Sequence, residues 1–294
     1  MCENFGVTYL GDNSVTNLHL TNVTDLVAKP VTQSKLILSL FPGIDLFSKP
    51  FEELGFSVVR GPDTILGQDI RSFHVPKGVF AGVIGGSPCQ EFSSLLRTKP
   101  TGYGLEMLKQ YKRVVQEACP NWWLLENVPR VPDLKIEGYS WQRFPLDLGW
   151  FSESGRLRHF QFGSIEGKLL NPPIAIRESG LEGAAVANDD RSFAKLLHLQ
   201  GLSSDFDLPS FTVEGKKKAV GNGVPIPLGR ELAKMINQTC YGVTEPGAKT
   251  VTTSRASETL CGCGCGRSVH GKATYAGSAC RKRAQRKRQK EMSN

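Results

Sequence analysis

Long apolar runs are missing from this 294-residue chain. No stretch approaches the roughly 18 consecutive apolar residues that a membrane-spanning helix requires. The first residues, MCENFGVTYLGDNS, lack both a basic opening and an apolar stretch behind it, so they do not read as a secretory signal. No internal repeat is visible. Regularly spaced cysteines are also missing from most of the chain. Of eight, Cys2, Cys89, Cys119 and Cys240 are scattered and do not outline a disulfide framework. Together these features predict a cytoplasmic protein with no membrane association. Net charge, finally, is absent from the first 260 residues, which hold 27 basic and 27 acidic side chains.

What charge there is sits at the C-terminal end. Residues 261–294 carry nine basic side chains and one acid, Glu291, and account for the whole formal +8. The pI of 9.1 therefore belongs to a short tail rather than to the body. A neutral globular body with a basic appendage suggests a polyanionic partner. With 39% hydrophobic and 22% charged residues, wholesale disorder is excluded. Some 260 residues can bury a large core, in one α/β domain or two smaller ones.

Apolar patterning predicts buried strands at 36–41 (LILSLF) and 79–86 (VFAGVIGG), and further strands at 56–60 (FSVVR), 121–128 (NWWLLENV) and 157–163 (LRHFQFG). Helices are expected over 46–55, 103–118, 191–202 and 226–238. Strands alternating with helices point to an α/β fold, a doubly wound and mostly parallel sheet. Residues 1–34 read as an N-terminal extension, 35–240 as the main globular domain, 241–260 as a Thr-, Ser- and Gly-rich linker, and 261–294 as a tail.

Five motifs stand at strand ends. Phe41-Pro42-Gly43 forms a glycine turn where backbone can approach a nucleotide-like ligand, although any α/β protein has such a turn. Asp63 and Asp69 follow the second strand; each could grip a ligand hydroxyl or simply cap a turn. Gly85-Gly86-Ser87-Pro88-Cys89-Gln90 places a thiol on a loop at the carboxyl end of a strand, where such folds bind ligands, although a free Cys is often only a small buried hydrophobe. Glu126-Asn127-Val128 ends an apolar strand; Trp123 and Leu125 nearby would favour a proton-donating carboxyl group, and a turn cap is the plainer reading. Arg156-Leu157-Arg158 enters another strand with both arginines on one face, and Gly221-Asn222-Gly223-Val224-Pro225 reads as a tight turn before a helix.

In order, FPG, PCQ, ENV, RxR, LLHLQG (196–201) and GNGVP resemble the DNA cytosine-5 methyltransferase family over residues 35–238, most of all its compact phage or prophage members. The resemblance implies an S-adenosylmethionine-dependent methyltransferase fold and methyl transfer to C5 of cytosine in DNA, with the target base flipped from the duplex. It makes Cys89 the nucleophile that attacks C6. Glu126 becomes the carboxyl group at N3 of the base, and Arg156 and Arg158 the pair that orients the base and its phosphate. Phe41, Gly43, Asp63, Asp69, Pro88 and Asn222 match cofactor-pocket positions. It further suggests a place in restriction-modification, in a bacterial or phage-infected cell, and a monomer.

The chain departs from the family pattern in places. The glycine-rich turn usually runs D-x-F-x-G-x-G; here Ser39 replaces the leading Asp and Asp45 the second Gly. Ser87 stands where a Pro is common, and the Gln usual before RxR is absent. The segment from 163 to 192, where the family reads its target sequence, is short. The tail is the candidate to share that task. Cys261, Cys263, Cys265 and Cys280 could close a tetrahedral zinc site, or could be plain tail cysteines. Arg281, Lys282, Arg283, Arg286, Lys287 and Arg288 suit phosphate contacts. Rival readings are an RNA (tRNA) cytosine-5 methyltransferase and a decayed, non-catalytic DNA-binding protein; the intact Cys89, Glu126, Arg156 and Arg158 argue against decay.

Overall fold

The computed structural model describes residues 34–94, 96–173, 175, 180–243, 259–260, 268–269, 280–282 and 284–285. The chain divides into two compact units, Met1–Thr244 and Glu245–Asn294. In the first, the elements run β1 (Leu36–Leu40), α1 (Lys49–Glu53), β2 (Ser57–Arg60), β3 (Gly82–Gly86), α2 (Tyr103–Ala118), β4 (Trp122–Asn127), β5 (Ser140–Asp147), β6 (Ser154–Gly155), β7 (Leu157–Ser164), β8 (Glu182–Gly183), α3 (Phe193–Gln200), α4 (Val213–Asn222) and α5 (Ile226–Tyr241).

A six-stranded sheet in the order β2-β1-β3-β4-β7-β5 organises the unit. The β2-β1-β3-β4 pairs are parallel, and β7 pairs antiparallel with both β4 and β5. The expected, mostly parallel α/β sheet is therefore present. β1, β3 and β4 are buried on both faces because helices cover both, whereas β2 at the edge is largely exposed. On one face Ile37, Ile84, Trp122 and Leu124 pack with Phe51 of α1 and Leu228, Leu232 and Ile236 of α5. On the other, Leu38, Val83, Trp123 and Leu125 pack with Met107, Tyr111 and Val115 of α2. A smaller cluster joins Leu196, Leu197 and Leu199 of α3 to Val220 of α4.

The short strands β6, β8, β9 and β10 were not anticipated, nor were two longer elements, β5 and α4. β5 is an edge strand that runs through Pro145, which is tolerated there because one side of the strand needs no ladder partner. α4, VEGKKKAVGN, has little apolar periodicity and starts on a Thr212 side-chain cap to Gly215 N. The GNGVP motif is accordingly not a bare turn: Gly221 and Asn222 end α4, and Pro225 caps α5. Helix α1 is shorter than the expected 46–55.

In the second unit β9 (Thr259–Leu260) and β10 (Ser268–Val269) pair antiparallel, and residues 280–282 and 284–285 are helical. Cys280 is buried there, and Arg281 and Lys282 are exposed. Cys261, Cys263, Cys265, Arg283, Arg286, Lys287 and Arg288 lie outside the described residues, as does nearly all of the N-terminal extension. Among the described residues no helix is long and apolar enough to cross a membrane, and no group of three or more His, Cys, Asp or Glu side chains could hold a metal ion.

Candidate active site

The buried run of β3 delivers the chain to its carboxyl end at Gly86, and Ser87-Pro88 carries it on to Cys89. The neighbouring strand β4 pairs Glu126 with Gly86, so the carboxylate emerges beside the thiol loop. A Cβ on Gly86 would lie 3.1 Å from Glu126 Oε2, so the glycine keeps that approach open. Asn127, next along β4, donates from Nδ2 to both the carbonyl and the hydroxyl of Ser87, each at 3.0 Å. Its Oδ1 accepts from Val128 N at 2.9 Å. The ENV and PCQ segments are thereby locked together, and Ser87 adds a hydroxyl acceptor that a proline could not supply.

On the other flank of β4, the antiparallel register of β7 sets Phe160 opposite Glu126 and brings Arg158 within reach. Arg158 Nε and Glu126 Oε1 form a partly buried ion pair at 2.9 Å. Trp123 and Leu125 do not surround Glu126 as expected. Strand alternation turns them into the opposite core, and Arg158 is the neighbour instead.

Arg156 donates from Nη1 to the carbonyls of Ala185 and Gly221, each at 3.0 Å, while its buried Nε has no hydrogen-bond partner. Burial pulls its guanidinium down to about 9, with Arg158 adding to the drop and Glu126 and Cys89 opposing it. Burial likewise pushes the Cys89 thiol above its ordinary value. The Glu126 charge reinforces that rise, and Arg158 and Arg156 counter it. All four expected catalytic residues therefore share one electrostatic cluster.

A cavity of about 530 Å³ opens beside this cluster. Cys89 and Glu126 line it, and so do Phe41, Gly43, Asp63, Asp69, Pro88 and Asn222. Asp63 serves the turn and the cavity at once: Oδ2 accepts from Gly43 N at 2.8 Å, and Oδ1 caps Ile65 N at 2.9 Å. Asp69 is exposed and accepts from Arg71 N and Arg71 Nη1, both at 2.9 Å. Asn222 reaches the wall where α4 lies close to the 184–187 segment: a Cβ on Gly221 would collide with the Val186 carbonyl. Arg156 and Arg158 are not on the cavity wall; they connect to it through Gly221 and Glu126.

Other wall residues were not foreseen, among them Ile65, Tyr103, Met107, Phe211 and Lys218. The Lys216–Lys218 run was the available signal for the last. Lys216 pairs with Asp207, whereas Lys218 has no ion-pair partner among the described residues. Glu91 was also missed. It accepts from Thr101 N at 2.7 Å, Thr101 Oγ1 at 2.6 Å and Gly104 N at 2.8 Å, contacts that hold its carboxyl below the usual range. Glu91 thus ties the residue group after Cys89 to the start of α2.

Residues 63–137 match the family described as C-5 cytosine-specific DNA methylase. The matched span contains Asp63, Asp69, Pro88, Cys89 and Glu126. Two solved structures share the fold. The Entamoeba histolytica methyltransferase EhMeth aligns at 10% identity with a TM-score of 0.51, over 70% of this chain and 98% of its own. The S. pombe Dnmt2 methyltransferase aligns at 9% identity with a TM-score of 0.51, over 69% of this chain and 98% of its own. No curated protein matches the sequence.

Proposed function

We infer that this chain uses Cys89 as its nucleophile and Glu126 as its proton-handling carboxyl group to methylate C5 of cytosine in DNA. The supporting observation is that one cavity is walled by Cys89 and Glu126 together with the Phe41, Gly43, Asp63, Asp69 and Asn222 set. That set fits S-adenosylmethionine: carboxylates for ribose hydroxyls and an amino group, apolar Phe41 and Ile65 for a purine, and a left-handed Gly43 that leaves backbone accessible. When bound, S-adenosylmethionine supplies an electrophilic methyl group.

The chain's own residues prepare the base to receive it. A stacked cytosine cannot reach Cys89, so the base leaves the duplex. The Cys89 thiolate adds at C6, the S–C6 bond forms, and the C5–C6 π pair moves to C5. Glu126 holds a proton at N3 and so stabilises the electron-rich ring. Arg156, with a free buried Nε, and Arg158 orient the base and its phosphate. After methylation water acting as a base takes the C5 proton, the C5–H electron pair re-forms the C5–C6 double bond, and the C6–S pair leaves with Cys89 as thiolate.

The 163–192 segment serves as a short target-recognition region, and the basic tail adds sequence-independent affinity for DNA. The tail's Cys261, Cys263, Cys265 and Cys280 as zinc ligands are supported by spacing alone. A monomer acting in the cytoplasm is the corresponding cellular reading.

The test is covalent capture. Duplex DNA containing 5-fluorocytosine, incubated with S-adenosylmethionine, should form a denaturation-resistant adduct with the wild-type chain and none with Cys89→Ala. Duplex DNA and tRNA substrates are offered separately. Capture of tRNA alone, or an adduct persisting in Cys89→Ala, would overturn the assignment.

A further inference from the structure

The turn that follows β1 holds three left-handed residues in five: Phe41 (φ 53), Gly43 (φ 57) and Asp45 (φ 57). Only one of them is glycine. Asp45 is also buried, at 3% exposure, which is costly for a carboxylate without partners. Its partners come from two strands. Ser39, on β1, donates its hydroxyl to Asp45 Oδ1 at 3.0 Å. Arg60, at the end of β2, brings Nε to 2.6 Å from Asp45 Oδ2, a close ion pair that is poorly aligned for a hydrogen bond. Ser39 and Arg60 are register partners in the parallel β1–β2 pair, so their side chains emerge side by side. The turn itself closes with Asp45 N donating to Pro42 O at 2.7 Å. The residues between those two anchors, Gly43 and Ile44, line the cavity.

We propose that Asp45 is the positioning residue of the cofactor turn, its carboxylate taking over from across the loop the task that an acid at position 39 would perform. The two departures from the D-x-F-x-G-x-G pattern are then one exchange: an acid leaves position 39 and reappears at 45, and the Ser39 that remains becomes its donor. Arg60 is the second anchor, and its remaining charge is met by Glu52, at 3.2 Å from Nη2. Asp45 acts through the turn and does not itself line the cavity wall. The proposal rests on the reading of that cavity as an S-adenosylmethionine site.

Calorimetric titration with S-adenosylmethionine and S-adenosylhomocysteine, beside the thermal midpoint of the ligand-free chain, tests it without reference to turnover. Asp45→Asn keeps a residue tolerant of the left-handed backbone and removes the charge. It should weaken cofactor binding roughly tenfold, in line with loss of a charged hydrogen bond, with little change in the thermal midpoint. Ser39→Asp alone crowds two carboxylates and should weaken binding further. The double exchange Ser39→Asp/Asp45→Gly should recover affinity to within about threefold of wild type, a coupling that independent structural damage would not produce. If Asp45→Asn does not fold, Ser39→Ala, which removes one hydrogen bond, carries the test with a smaller loss of the same sign. Unchanged affinity in the Asp45→Asn or Ser39→Ala chain, or a double exchange no better than Ser39→Asp, overturns the proposal. A wild-type chain that binds neither ligand overturns the cofactor reading, and the proposal falls with it.

Discussion

Glu126 and Arg158, on adjacent antiparallel strands, meet at 2.9 Å with only 14% and 18% of their side chains exposed, and the pair stands against a thiol that burial already resists ionising. Three charges therefore determine when Cys89 can act: Glu126 opposes the thiolate, whereas Arg158 and Arg156 favour it. A base that takes over Glu126 through a shared proton would remove the opposing charge and leave the two favourable ones.

Glu126→Gln should slow methyl transfer by about 10²–10⁴, the usual contribution of a positioned acid, while cofactor affinity changes little. Single-turnover rates beside calorimetric cofactor binding separate the two effects. Turnover equal to wild type would remove Glu126 from the chemistry.

Alkylation of Cys89 by iodoacetamide, followed by peptide mass spectrometry to distinguish it from the other thiols, should rise with pH. Its midpoint should lie above the ordinary thiol value of about 8.5, because burial and Glu126 raise the folded-state pKa. The sign for each variant follows from charge. Glu126→Gln removes a negative neighbour and should lower the midpoint; Arg158→Met removes a positive one and should raise it. A wild-type midpoint at or below the ordinary value, or variants moving the opposite way, would contradict this arrangement.

The tail's net +8 against a neutral body leads to a salt-dependence prediction. Deleting residues 256–294 should weaken DNA binding for all sequences and flatten the plot of log affinity against log salt, by about 0.9 for each phosphate that the tail no longer neutralises. Single-turnover methylation at saturating DNA should survive, since no expected catalytic residue lies beyond Asn222. If zinc organises the tail, Cys280→Ser should lower the metal content measured by mass spectrometry. A truncated chain with the same affinity and slope as the full chain would exclude the tail as the source of non-specific binding.

Much of this was legible in the sequence because parallel strands buried on both faces read as uninterrupted apolar runs. LILSL, GVIGG and WWLLEN announced β1, β3 and β4, and the polar or glycine-rich residues just beyond them announced the site. Helix α2 was equally plain, its apolar residues recurring on one face from Met107 to Val115. β5 was hidden by Pro145 and by its edge position, and α4 by three consecutive lysines without an apolar stripe. The Ser39–Asp45–Arg60 cluster was hidden for a different reason. Each residue looks like an isolated departure or a surface charge, and only strand register and a left-handed turn bring them together.

The order in which the site can form follows from where its parts lie in the chain. The wall extends from Phe41 to Gly223, and its last contributors reach Arg156 through the Gly221 carbonyl. Helix α5 then packs against α1, and its final Tyr241 donates to the Ser34 carbonyl across 207 residues. Long loops must close before these contacts form, which makes this docking slow compared with local helix formation. A nascent chain released before α5 is complete would hold every residue of the cavity wall yet lack the helix that covers one face of the sheet. Such premature fragments should be inert toward the cofactor and open to proteases at the exposed face of the sheet, so activity appears only once nearly the whole first unit has been synthesised.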